Sequence, residues 1–327
     1  MEESECERLA QGGAGCLRAI RELINLPLSA ATLARYGGGA GLRRFLQETG
    51  CQGFEDIWAG ENIPEEFPKE LMLGYHLTFT SDWLDFYRED TAAIIEKFGT
   101  LTAAREFYGG WGAACLLEMY RADLHRAKTL GAAYVVFHVS DVSIEEGYTY
   151  RWWHSHEEVI DAAAEIINSL LTGEESFDFL MENQWWPGFT FTDPALTERL
   201  LAAIRYPRKG IMLDTGHLMN TNPGLRTQRE GVAYLHRMLD CHGELCRYIR
   251  GLHLHQSLSG EYVRRHTGRL PEDLPGEYME RFGVSYRHIL QIDQHEPWTV
   301  PEATSVVERI KPAYLTHELA AGGPEEK

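Results

Sequence analysis

The sequence predicts an α/β fold, a single (β/α)8 barrel, from three observations. Eight short, β-rich apolar runs recur along the chain with helical patterns between them. The distance from Glu182 to Asp214 is 32 residues and from Asp214 to His253 is 39, the length of one strand-helix unit. Five of the runs end in a metal-competent side chain (His76, His138, Glu182, Asp214, His253) and Glu318 closes the last. A parallel barrel gathers its chemistry at those carboxyl ends.

In chain order the strand candidates are residues 24–28, 54–58, 73–77, 134–139, 177–182, 210–214, 251–255 and 313–318. A helix is predicted over 157–171, where apolar residues repeat at helical spacing after a Ser155 cap and before Gly173. Residues 194–204 and 227–239 carry the same pattern. A barrel of this kind takes about 250 residues, so 327 leave room for insertions. One is expected after strand 3, at 80–112, which is rich in aromatics. The other is expected after strand 7, at 258–288, with Arg264, Arg265, His266 and Arg269. Both belong on the face where the strands end. No Pro/Gly/Ser-rich linker divides the chain, so one domain is expected over 1–327, with 1–20 as an N-terminal extension.

Composition narrows the function. Thirty-one Lys and Arg against 49 Asp and Glu leave a formal charge of −18, which repels nucleic-acid backbones at long range. No apolar stretch reaches the roughly 18 residues of a membrane span, and the acidic N-terminus lacks the features of an export signal. Six cysteines without CxxC spacing fit reduced thiols, so the expected location is cytoplasmic.

Charged and imidazole groups at the top of a barrel are costly to bury unless they are paired or bind a metal. Asp214-Thr215-Gly216-His217 adds a donor just past strand 6, and Asp293-Gln294-His295 adds two more. The candidate ligands are therefore His76, His138, Glu182, Asp214, His217, His253, Asp293, His295 and Glu318. One tetrahedral zinc uses about four ligands, so nine point to two or three ions. Imidazole and carboxylate donors without thiolate suit zinc first, with manganese or iron also fitting. A single strand histidine is more often a hydrogen-bonded core residue, but coincidence would have to recur at equivalent places in successive units.

The order Gly74-Tyr75-His76, Phe137-His138-Val139, Met181-Glu182-Asn183, Leu213-Asp214-Thr215-Gly216-His217, His253-Leu254-His255-Gln256-Ser257, Asp293-Gln294-His295 and Leu315-Thr316-His317-Glu318 resembles the xylose-isomerase-like barrels. These include endonuclease IV, the AP endonucleases of family 2 and the sugar epimerases. The resemblance implies a shared metal at Glu182, Asp214, His253 and Glu318. It implies further zincs at His76, His138, His217, Asp293 and His295, as in endonuclease IV, with His266 competing for the outer position. The chain departs from the epimerases, which usually carry a second Glu six residues after the strand-5 Glu and an Arg six after the strand-7 His. Gly188 and Ser259 stand at those places.

The function expected is a divalent-metal-dependent hydrolase, with one to three ions, acting on a phosphate ester or related sugar derivative. Glu182 and Glu318 are the catalytic candidates, and His255, Trp186, Trp153, Arg264 and His266 the substrate contacts. A small sugar or phosphorylated molecule is the expected partner, with duplex DNA disfavoured. The alternatives are a sugar isomerase or epimerase, and a non-catalytic ligand-binding barrel with a structural metal.

Overall fold

A computed structural model of the protein describes residues 20–57 and 63–320. The N-terminal extension, Cys6, Cys16 and Trp58 lie outside the described residues. Eight strands close in sequence order into a parallel barrel: β1 (Arg21–Leu26), β2 (Gly53–Ile57), β3 (Met72–His76), β4 (Tyr134–His138), β5 (Asp178–Glu182), β6 (Lys209–Asp214), β7 (Ile249–His253) and β8 (Tyr314–His317). The first strand begins three residues earlier than the periodicity predicts and stops before Pro27, which has no N–H to continue the ladder. β7 stops at His253, two residues early.

Alternation along each strand sorts the residues. Phe54, Val135, Phe137, Phe179, Ile211 and Leu252 face outward into the large core shared with the helices. Leu23, Tyr134, Val136, Leu180, Met212 and Tyr314 fill the barrel interior. Above this apolar plug the inward phase continues through Ile57, His76, His138, Glu182, Asp214 and His253. The register sets His138 beside Glu182 and Asp214 beside His253. Gly74 is required below them, because a Cβ there would run into the Tyr134 ring that crosses the barrel.

The predicted helices form at Gln228–His242, Pro194–Ala203 and His156–Leu170. Ser155 with Glu158, and Thr227 with Glu230, make reciprocal capping boxes, and the Asp193 side chain caps the third. The first insertion folds as three short helices, Leu84–Tyr87, Thr91–Phe98 and Leu101–Tyr108. It is pinned by Lys97, whose Nζ lies 2.5 Å from Asp82 and 2.7 Å from Asp85 in a buried ion cluster. The second contains helices Gly260–His266 and Tyr278–Ile292. The chain then returns to the end of β7 through an antiparallel bridge between Gln256 and Glu296. Among the described residues, no helix is long and apolar enough to cross a membrane.

Candidate metal centre

The ends of β3 to β7 deliver their inward side chains to one buried cluster, which Glu318 joins just past β8. Glu182, Asp214 and His253 are fully buried, and His76, His217, Asp293 and Glu318 nearly so. Three groups of donor atoms lie close enough together for each to share an ion. They are His76, His138 and Glu182; Glu182, Asp214, His253 and Glu318; and His217, His255, Asp293 and His295. Glu182 belongs to two of them. Its Oε2 is 3.0 Å from His76 Nε2 and 2.8 Å from His138 Nε2, while its Oε1 is 3.0 Å from His253 Nδ1. Glu318 Oε2 is also 3.0 Å from His253 Nδ1.

The third group is assembled from three separate segments. Asp214 ends β6 and caps the helix Thr215–Asn220, accepting the His217 backbone N–H at 2.6 Å. The His217 Nε2 then reaches Asp293 Oδ2 at 3.1 Å. Asp293 ends the Tyr278–Ile292 helix, and the Gln256–Glu296 bridge carries it and His295 back to β7. His295 turns with φ 49°, left-handed backbone that is uncommon for a non-glycine residue and is found at functional sites. Its ring stacks on His255 with centroids 4.3 Å apart. A Cβ on Gly216 would overlap the His255 imidazole, so that glycine is what lets the ring enter the group.

His255, expected as a substrate contact, lies within the third donor group. It is fully buried, with Nε2 2.8 Å from Asp214 Oδ2. The forty-residue gap from His253 to Asp293 is the second insertion doubling back. Three expected substrate contacts are not brought to the cluster. Trp153 is half-exposed and packs over Lys97; Arg264 donates to the Pro223 carbonyl on the exposed side. His266 stacks on Tyr262 beside a separate surface groove with Arg265 and Arg269, so it does not compete with Asp293 and His295. Trp186 does line the cavity above the cluster.

Glu55 was not anticipated. It sits inward on β2, fully buried, with Oε1 2.9 Å from His253 Nε2, and it accepts from Tyr134 and Thr316. A ring N–H donated to a carboxylate from Nε2 leaves Nδ1 facing the centre, the tautomer a metal ligand requires. His76 is held likewise, with Nδ1 2.9 Å from the Leu77 carbonyl.

The electrostatics fit cations. Burial opposes charge on His217 and His253. Even so, Asp214 and Asp293 around the first, and Glu55, Glu318 and Glu182 around the second, hold both imidazoles well above the usual range. His76 is pushed up to about 9 and His295 to about 10, burial again being overcome by the neighbouring carboxylates. Despite their own burial, Glu182 and Glu318 are held well below the carboxylate range by the surrounding histidines. Four carboxylates face six imidazoles, and His138 Nδ1 and His255 Nδ1 are buried without a hydrogen-bond partner. Divalent ions would meet both the charge and the open donor atoms.

The cavity over the cluster has a volume of about 530 Å³, ordinary for a small-molecule site. His76, His138, His217, Asp293, His295 and Glu318 form its floor.

No curated protein matches the sequence. Among solved structures, the chain is similar to endonuclease IV from Thermus thermophilus, with 15% identity over 94% of each chain and a TM-score of 0.47. It is similar to a D-tagatose 3-epimerase-like protein, with 12% identity over 92% of this chain and 91% of that one, also at 0.47. A third is a xylose isomerase-like TIM barrel protein from Mycobacterium smegmatis in complex with magnesium, with 14% identity, 94% and 92% coverage, and a TM-score of 0.45. Residues 44–299 match the family model described as xylose isomerase-like TIM barrel, and the chain belongs to that family.

Proposed function

We propose that the protein is a metal-dependent hydrolase with a multinuclear centre, acting on a phosphate ester or a related sugar derivative. The observation that carries this reading is the sharing of Glu182 between two donor groups, with a third group alongside. A sugar isomerase or epimerase needs one or two ions, for which Glu182, Asp214, His253 and Glu318 form the core set, and a third donor set goes beyond that need.

His76, His138 and Glu182 would hold one ion, Glu182, Asp214, His253 and Glu318 a second, and His217, His255, Asp293 and His295 a third. Divalent ions bound there would make water a nucleophile near neutral pH and neutralise charge on a phosphoryl group. Zinc, manganese and iron all suit a donor set of imidazole and carboxylate. The chain's own residues do the rest. Glu182 fixes the spacing of two groups through its two carboxylate oxygens. Glu55 locks the His253 ring. Glu318 is the catalytic carboxylate that borders the cavity, where it can take or return a proton. Trp185, Trp186 and Phe79 keep bulk water away from the floor. Among the described residues no Lys or Arg lines the cavity, which does not favour a nucleic-acid backbone as the ligand.

The test is metal stoichiometry with ligand identities by anomalous scattering, together with phosphate-ester hydrolysis. Two or three ions per chain with phosphate released is the expected result. One ion, with a carbon-bound substrate proton exchanging into heavy water, overturns it in favour of a sugar isomerase or epimerase.

A further inference from the structure

The walls of the cavity differ in kind from its floor. The floor is imidazole and carboxylate, whereas the walls are mostly aromatic and aliphatic, with Asn25, Thr78, Ser81, Ser143, Gln184 and Ser285 set among them. Phe79 and Trp186 hold their ring planes within 7° at a centroid distance of 6.1 Å, and Phe79 stands edge-on to the His138 ring at 4.5 Å. Trp185 packs against Trp186 at 4.2 Å. The Tyr278–Ile292 helix also lines the cavity, through Phe282, Tyr286, Ile289 and Leu290, a spacing that sets all four on one helical face.

Two features separate this wall from ordinary core packing. Tyr286 is 56% exposed, Leu290 43% and Phe79 36%, so large apolar groups stand open at the mouth of a pocket. Apolar surface rimming a concave site marks a ligand face. The second feature is the Trp186 indole N–H, which is buried and has no acceptor among the described residues, although the side chain is only 3% exposed. A buried donor left unpaired costs about 1–3 kcal/mol, so the indole is an unsatisfied polar group within the wall. Among the described residues, those lining the cavity include neither Lys nor Arg, so the floor is where an anionic group is met.

We infer that the substrate is a small two-ended molecule. A polar or anionic head is directed to the floor, and an aromatic or branched apolar arm packs between the Phe79–Trp186 wall and the Tyr286–Leu290 helix face. This rests on the reading of the floor as a metal-dependent hydrolytic centre, and it adds the substrate class to that reading. A polyhydroxylated arm, such as a sugar, set against the Phe79–Trp186 and Tyr286–Leu290 surfaces would lose hydrogen bonds to water that the few polar wall residues replace only in part.

Binding of 1-naphthyl phosphate and glucose 6-phosphate to the metal-loaded protein, measured by calorimetry, tests the arm while keeping the head constant. The naphthyl ester is expected to bind on the order of tenfold or more tightly, as burial of an aromatic arm implies. It should also change the tryptophan fluorescence. The double variant Tyr286→Ser, Leu290→Ser should lose most of that preference with its metal content unchanged. Equal binding, preference for the sugar ester, no binding of either, or a preference unaffected by the double variant overturns the inference. Because the readout is binding, the two proposals fail separately. A naphthyl preference without hydrolysis removes the hydrolase and keeps the apolar arm, whereas hydrolysis without preference does the reverse.

Discussion

Glu55 shows how a residue outside the donor set governs it. Its carboxylate faces His253 Nε2 and is itself held by Tyr134 and Thr316, so the ring has one orientation and one tautomer. Glu55→Gln keeps an acceptor for one of these groups but removes the charge that makes Nδ1 a strong donor. Metal affinity is expected to fall roughly 10- to 100-fold, with the fold intact by circular dichroism. Competition with a fluorescent chelator measures this, and unchanged affinity would assign Glu55 to packing alone. Its neighbour Asp56 points the opposite way and accepts the Leu28 N–H at 2.9 Å. Burial, aided by the nearby Asp123 charge, raises its carboxyl from 3.8 to about 7. The folded protein therefore keeps a proton that the unfolded chain releases near pH 4. Stability contributed by this group falls as pH rises from about 4 to 7 and is level above. Asp56→Asn keeps the acceptor and removes the titration, so urea unfolding across pH 4–8 should lose about one proton's worth of slope, roughly 1.4 kcal/mol per pH unit. An identical slope in the variant would mean that Asp56 is ionised throughout.

The elements that were legible in the sequence are those whose signal is local. Runs such as Tyr134–His138 and Asp178–Glu182 are apolar, short and closed by a donor, and they form the strands expected, because a strand buried on both faces must read that way. Ser155 announced its helix for an equally local reason, since it satisfies a backbone N–H within three residues, and Asp193 and Thr227 cap their helices in the same way. What was not legible depends on contacts between distant segments. Glu55 lies in Gly-Phe-Glu-Asp-Ile, where two adjacent acids look like a solvated edge; only the inward phase shared by Gly53, Glu55 and Ile57 hints at the interior. His255 was legible as sharing a face with His253, yet its place beside His295 depends on the Gln256–Glu296 bridge and on the room left by Gly216. Arg264 and His266 sit in the same insertion as the cavity-lining helix, but on a short helix that turns them away. Proximity in sequence to a site-bearing helix does not bring a side chain to the site. The Lys97 cluster beneath the first insertion is likewise a meeting of segments, joining Asp82 and Asp85 to a lysine more than ten residues later. It gives that insertion an anchor that its aromatic composition did not reveal.

The whole barrel separates stability from chemistry along its axis. Below the cluster, the ladder closes through all eight strands around Leu23, Tyr134, Leu180 and Met212, none of which contacts an ion site by way of a donor atom. Above it, four carboxylates face six imidazoles. His76, His217, His253 and His295, held in their protonated forms by the carboxylates around them, can balance the charge when no cation is bound, so stripping the ions should not melt the molecule. Chelation is therefore expected to leave the far-ultraviolet circular dichroism unchanged while lowering the melting temperature. Ligand linkage gives about 4 kcal/mol for one ion present at a thousand times its dissociation constant. At roughly 2–4 °C per kcal/mol for a large domain, the shift is on the order of ten degrees, and larger if several ions leave. Thermal scans with and without EDTA, followed by restoration with zinc or manganese, measure it. No shift would mean that the clustered donors do not hold ions at all. Loss of secondary structure on chelation would instead make the metal part of the fold, as a structural-metal barrel requires and as a closed eight-stranded ladder with its own apolar plug does not.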